Sequence, residues 1–191
     1  MVDTTFERLT SARLMLRRFR AEDIETFVGY RADPAVARFQ SWENFRAADG
    51  REFFAWVSTQ HPDTPGEWFQ FAIELAATGA MIGDCALHAL ANNPHEVEIG
   101  FTLAPESQGR GYATEAVACL LDYVFGPLAK ERAIAITDAR NTASIGMLDR
   151  LGFVRDATPS KPIMFKGELV EEYCYRMDGA DWLGRRAGRS S

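Results

Sequence analysis

The clearest pattern in the chain lies at Glu96–Leu103, where Val97, Ile99, Phe101 and Leu103 alternate with Glu96, Glu98, Gly100 and Thr102. Successive side chains of an extended strand point to opposite faces, so this segment is expected to be a strand with one covered face. Further on, Ala116, Val117, Leu120, Leu121 and Val124 recur at helical spacing. They predict a helix from Thr114 to Phe125, stopped by Gly126 and Pro127. The same reading gives a strand at Arg13–Phe19 and a helix opening at Ala21-Glu22-Asp23 and running to about Asp33, where Pro34 breaks it. Pro34 to Gly66 reads as helical in pieces and rich in aromatics. Trp68–Glu74 and Met81–His88 form a hairpin turning at Thr78-Gly79. Ala133–Thr137 is a short continuous apolar strand, as in the middle of a covered sheet. Thr142–Leu151 is a helix closed by Gly152, Phe153-Val154 starts a strand, and Glu171–Met177 is a last strand reached through a hairpin near Lys166-Gly167. The order is mixed α/β: a hairpin-built sheet, then strand–helix–strand–helix–strand.

The length of 191 residues suits one domain. A chain of this size buries about 70% of its unfolded surface and needs no disulfide or metal to hold it. A net charge of −6 argues against a nucleic-acid footprint and is compatible with a cationic partner. The three cysteines, Cys85, Cys119 and Cys174, are far apart and read as reduced, buried thiols. The three histidines, His61, His88 and His95, share no metal or triad spacing and read as loop or surface residues. No basic segment leads into an apolar run at the N-terminus, and no apolar run is long enough to span a membrane. A cytoplasmic protein is expected, with no membrane partner and no metal. Residues 184–191 (GRRAGRSS) read as a flexible basic tail after a domain covering 1–183.

Between the strongest strand and the strongest helix lies Gln108-Gly109-Arg110-Gly111-Tyr112-Ala113. Amides at a helix N-terminus, with glycines permitting close approach, suit an anion such as a pyrophosphate. On spacing alone the same turn also reads as a tight loop. Glu98–Phe101 with Gln108–Ala116 (EIGF…QGRGYATEA), followed by Asn141–Phe153 (NTASIGMLDRLGF), resembles the GNAT superfamily of N-acetyltransferases. Within it the chain is similar to the RimJ/RimL-type branch, which acetylates protein N-termini and related amines; that pattern runs from Arg13 to Tyr175. The resemblance implies an α/β (α+β) GNAT fold, with a mixed, mostly antiparallel central sheet splayed at the cofactor site and flanked by helices. It implies acetyl-coenzyme A as donor. The pyrophosphate would be held by the amides of Gln108, Gly109, Arg110, Gly111, Tyr112, Ala113 and Thr114. The pantetheine arm would pair with the backbone of Phe101, Thr102 and Leu103, where a bulge splays two strands. Asn141 would bind the pantetheine or phosphate region, and it also reads as the N-cap of the following helix.

Transfer requires a neutral amine, a positioned thioester and a stabilised oxyanion. Glu98, on the strand beside the thioester, is the candidate base, acting through water, with Glu96 as its substitute; both also read as solvated strand carboxylates. The resemblance leads to a tyrosine seven residues after Asn141, where this chain has Leu148. It offers Ser144 instead as the hydroxyl near the sulfur, which also reads as an ordinary first-turn serine. Tyr112 and Tyr175 are weaker candidates for the cleft. The aromatics from Phe39 to Trp56 read first as core; the resemblance makes this segment one wall of the acceptor cleft, with Trp42 and Phe45 touching an acceptor that is a protein N-terminus or a small-molecule amine. The alternative function is a non-catalytic acyl-coenzyme A sensor of the same fold. The oligomeric state, monomer or homodimer, is left open.

Overall fold

The computed structural model describes residues 2–157 and 161–189. An eight-stranded sheet runs β1 (Arg8–Thr10), β2 (Leu14–Arg17), β3 (Trp68–Leu75), β4 (Met81–Ala89), β5 (Glu96–Leu103), β6 (Arg132–Asp138), β10 (Glu172–Asp178), β7 (Val154–Arg155). Every neighbouring pair is antiparallel except β5 and β6, which run parallel. Two further strands, β8 (Ile163–Phe165) and β9 (Glu168–Val170), make a separate hairpin that turns at Lys166 and Gly167.

One face of the sheet is covered by α4 (Tyr112–Phe125), α5 (Thr142–Leu151) and α6 (Gly179–Arg189). The periodic positions of α4, Ala116, Val117, Leu120, Leu121 and Val124, are all fully buried against Val97, Ile99 and Leu103 of β5. The other face, over β2 to β4, is covered by α1 (Asp23–Arg31), α2 (Pro34–Ala37) and α3 (Ala47–Val57), around Phe19, Phe27, Tyr30 and Ala72. Toward β6 and β10 that second face is open. Ile136 is 46% exposed there, so β6 is covered on one side only, unlike the fully covered strand its apolar run predicts.

Other boundaries differ from the sequence reading for local reasons. Pro34 starts α2 rather than merely ending α1: Asp33 caps it by accepting from the Ala35 amide at 2.7 Å. Asp23 does more than suit the α1 dipole; it is buried and takes a two-pronged bond from Arg17, at 2.7 and 2.8 Å. The C-terminal segment is helical through Arg189 instead of a flexible tail from Gly184. Trp182 is buried and donates to Asp122 Oδ1 at 2.9 Å, and Arg186 pairs with the same carboxylate. Residues 190 and 191 lie outside the described residues.

Candidate active site

Parallel pairing between β5 and β6 is confined to Glu96–Glu98 against Arg132–Ile134. Beyond Glu98 the strands part, and the N-termini of α4 and α5 converge on the gap. No bulge in β5 causes the divergence, contrary to expectation: its register with β4 runs unbroken from Val97↔Ala89 to Leu103↔Gly83. Backbone direction alternates along the strand. The Ala104 amide donates to Ile82 on the β4 side, and the Leu103 carbonyl on the other side accepts from the Gln108 side chain at 3.0 Å. By that alternation Phe101 turns its N–H and C=O into the gap, whereas the backbone of Thr102 faces β4.

At the head of α4, Gly109 and Gly111 have φ of +72° and +78°, and Gly111 is the N-cap residue. Among the described residues the amides of 109 to 114 make no hydrogen bond. They form the concave set of donors that a phosphate group needs. Arg13 lies against this turn, with its guanidinium over the Tyr112 ring at 4.6 Å, bonded to Glu115 at 2.6 Å and to the Arg110 carbonyl at 3.2 Å. Sequence reasoning missed it because the contact joins segments about a hundred residues apart. Burial alone would raise the Glu115 carboxyl, but bonds from Ser11 and Arg13 outweigh it and hold the group below its ordinary value.

A cleft of about 430 Å³ occupies the gap. Phe101, Thr102, Leu103, Gln108, Gly109, Gly111, Tyr112, Ala113, Thr114, Asn141 and Ser144 line it, together with Arg150 on α5 and Val36, Phe39 and Gln40 from the α2 side. The Arg110 side chain is exposed and stands outside the lining. A smaller cavity of about 120 Å³ adjoins it, sharing Phe39, Gln40, Phe101, Asn141 and Ser144, and adding Gly100, Ile136, Phe165 and Glu172. Ser144 therefore sits where the two spaces meet. Asn141 caps α5, its Oδ1 accepting from the Ser144 amide at 3.1 Å.

The remaining sequence candidates divide. Glu98 lines neither space; it shares the open face with Glu172, which lines the smaller cavity and carries a raised carboxyl. Burial is the main cause, followed by repulsion from Asp138 and Glu98. Glu172 was missed because only its register opposite Asp138 brings it to the gap. Glu96 lies away from the gap, near Arg132 at 3.8 Å. Trp42 and Phe45 do not line either space. They pack around Arg31, whose guanidinium is 3.7 Å from the Trp42 ring centroid, and the Trp42 indole donates to the Arg31 carbonyl at 3.1 Å. Phe39 and Gln40 take the place expected for them. Tyr175 is buried in the core, as is Leu148. His88 lies within the strand as expected but is half-buried on β4, not a loop or surface residue. Cys85 and Cys119 are buried and Cys174 is half-buried, all three as free thiols. Among the described residues no group of three His, Cys, Asp or Glu is placed to hold a metal, and no helix is long and apolar enough to cross a membrane.

The site thus offers an anion cradle, an open strand edge that can pair with an amide-bearing chain, and a small chamber with a hydroxyl at its mouth and carboxylates beside it. A long phosphorylated amide such as coenzyme A fits that set. The model of the acetyltransferase (GNAT) domain matches residues 13–154. The chain is 28% identical over 179 residues to the uncharacterized N-acetyltransferase p20 of Bacillus licheniformis, across 93% of this chain and 99% of that protein. It is 26% identical over 174 residues to the uncharacterized N-acetyltransferase YnaD of Bacillus subtilis, covering 91% and 98%. The crystal structure of a GNAT-family acetyltransferase from Bacillus anthracis superposes with a TM-score of 0.81 at 25% identity, over 91% of this chain and 99% of that one. On fold, site and sequence together, the chain belongs to the GNAT family and is an N-acetyltransferase.

Proposed function

We propose that the chain transfers the acetyl group of acetyl-coenzyme A to a primary amine, by direct attack with both substrates bound. The observation that supports this reading is that the two spaces adjoin at Ser144, so that a donor in the larger and an acceptor in the smaller would meet there. The pyrophosphate lies on the amides of 109 to 114, and the pantetheine arm pairs with the backbone edge at Phe101. The thioester then reaches the junction, where the Phe101 N–H faces the oxygen that becomes negative in the tetrahedral intermediate. The amine is drawn to the chamber as an ammonium by Glu98 and Glu172 and gives its first proton to bulk solvent on entry. As the neutral amine attacks, Glu98 takes the second proton through one water. The C–N bond forms, the C–S bond breaks, and the Ser144 hydroxyl donates a hydrogen bond to the departing sulfur. Coenzyme A thiolate is a good leaving group, so Leu148 in place of a tyrosine does not block the step. The carboxylates at the chamber support an acceptor that arrives as a cationic amine, a protein N-terminus or a small-molecule amine.

Steady-state release of coenzyme A over a panel of primary amines, with product identified by mass, tests the reading. Release should depend on the amine, and Glu98→Gln should lower kcat about a hundredfold, the lower end of what a general base contributes. Binding of acetyl-coenzyme A without amine-dependent turnover would favour a sensor instead.

A further inference from the structure

His88 and Glu98 are directly opposite one another across β4 and β5. The His88 ring is locked on its other side by Trp68 of β3, its partner in register, with ring centroids 4.7 Å apart and planes at 15°. Its Nδ1 is buried, makes no hydrogen bond, and stands 3.6 Å from Oε2 of Glu98. That is just beyond hydrogen-bond length, and a buried ring nitrogen without a partner is unfavourable. Around Glu98, the β6 neighbour in register is the apolar Ile134, Arg176 follows it on β10, and Glu172 and Cys174 face it from the same strand. Arg176 is engaged with Asp156 at 2.9 Å, and an ionised carboxylate cannot donate to another, whereas an imidazole Nδ1–H can.

We propose that His88 is a positioning residue for Glu98. Its Nδ1–H closes onto Oε2 when the acceptor is bound, fixing the carboxylate so that Oε1 meets the water that takes the amine proton. The stack on Trp68 sets the ring at the angle this requires. The inference rests on Glu98 being the base.

The test is a double-mutant cycle on kcat with one accepted amine. It uses wild type, His88→Leu, His88→Asn, Glu98→Gln and the double variant carrying both His88→Leu and Glu98→Gln, each melted and titrated with acetyl-coenzyme A. His88→Leu should lower kcat about tenfold, on the scale of one hydrogen bond to a charged group, with donor affinity and melting temperature close to wild type. His88→Asn, which keeps an N–H near the Nδ1 position, should recover most of the loss. In the Glu98→Gln background His88→Leu should add nothing. Full kcat in His88→Leu, a loss that multiplies with that of Glu98→Gln, or an asparagine variant as slow as the leucine one would overturn the proposal. Full activity of Glu98→Gln would instead remove the base assignment on which it rests.

Discussion

Gly111 stands immediately before α4 in the left-handed region, with only the Arg13 guanidinium, 3.6 Å away, near the place a Cβ would occupy. Gly111→Ala therefore has room and is strained only by its backbone. It should cost about 1–2 kcal/mol in urea unfolding. Asn141→Ala removes the cap on α5 and should cost about 1 kcal/mol by the same measurement, together with weaker acetyl-coenzyme A binding. Both residues were legible in the sequence, because glycines before a periodic helix and an asparagine at a helix start declare a local conformation. The acceptor wall was not. Phe39, Trp42 and Phe45 lie close together in sequence, and that closeness says nothing about which of them turns inward. Arg31 on α1 draws Trp42 and Phe45 to its own faces, leaving Phe39 at the cleft.

At the scale of elements, α1 is joined to the sheet by charge rather than by apolar contact alone. Arg17 on β2 is buried between Asp23 at the start of α1 and Glu74 on β3, with its Nε 2.6 Å from the Glu74 carboxylate. Removing Asp23 leaves Arg17 paired with Glu74 but strands the buried N–H group that bonded Asp23 Oδ1. Asp23→Ala should destabilise the protein by about 2–3 kcal/mol in thermal or denaturant unfolding. The α1–α2 segment also carries Phe39 and Gln40 to the cleft, so the variant should raise the KM for the amine as well. The strands and helices with strong periodicity, β5 and α4 above all, were readable within two residues of their ends. Elements held by tertiary contacts were not. β1 is three residues long, and α6 contains Gly184 and Gly188, poor helix formers whose helix is held by Trp182 and by Arg186 on Asp122.

For the whole molecule, carboxylates with a shifted titration act on stability in two opposite senses. Asp138, held below its ordinary value by bonds from Arg140, and Glu115, likewise lowered, favour the folded state at neutral pH. Their contribution is complete above the ordinary carboxylate range and is lost as pH falls through their lowered folded values. Glu172 works the other way. Its raised carboxyl means that the folded state binds the proton more tightly, so its penalty is absent in acid and grows as pH rises through the ordinary range. Glu172→Gln should therefore raise the melting temperature at neutral pH and leave it unchanged in acid. Equal shifts at both would show that its charge is not the cause. The anion turn and its order between strand and helix could be read from sequence. The gap between β5 and β6, and the carboxylate that faces it, exist only once β6 and β10 are laid beside β5.

The most direct test of the donor site is a calorimetric titration with acetyl-coenzyme A of the wild type, Gly111→Ala and Gly111→Glu. The alanine variant carries the same backbone strain as the glutamate variant without its charge at the amides of the α4 turn. Micromolar binding by the wild type, kept in Gly111→Ala and abolished in folded Gly111→Glu, is the expected result. No binding by the wild type, or binding untouched by the carboxylate, would contradict the account.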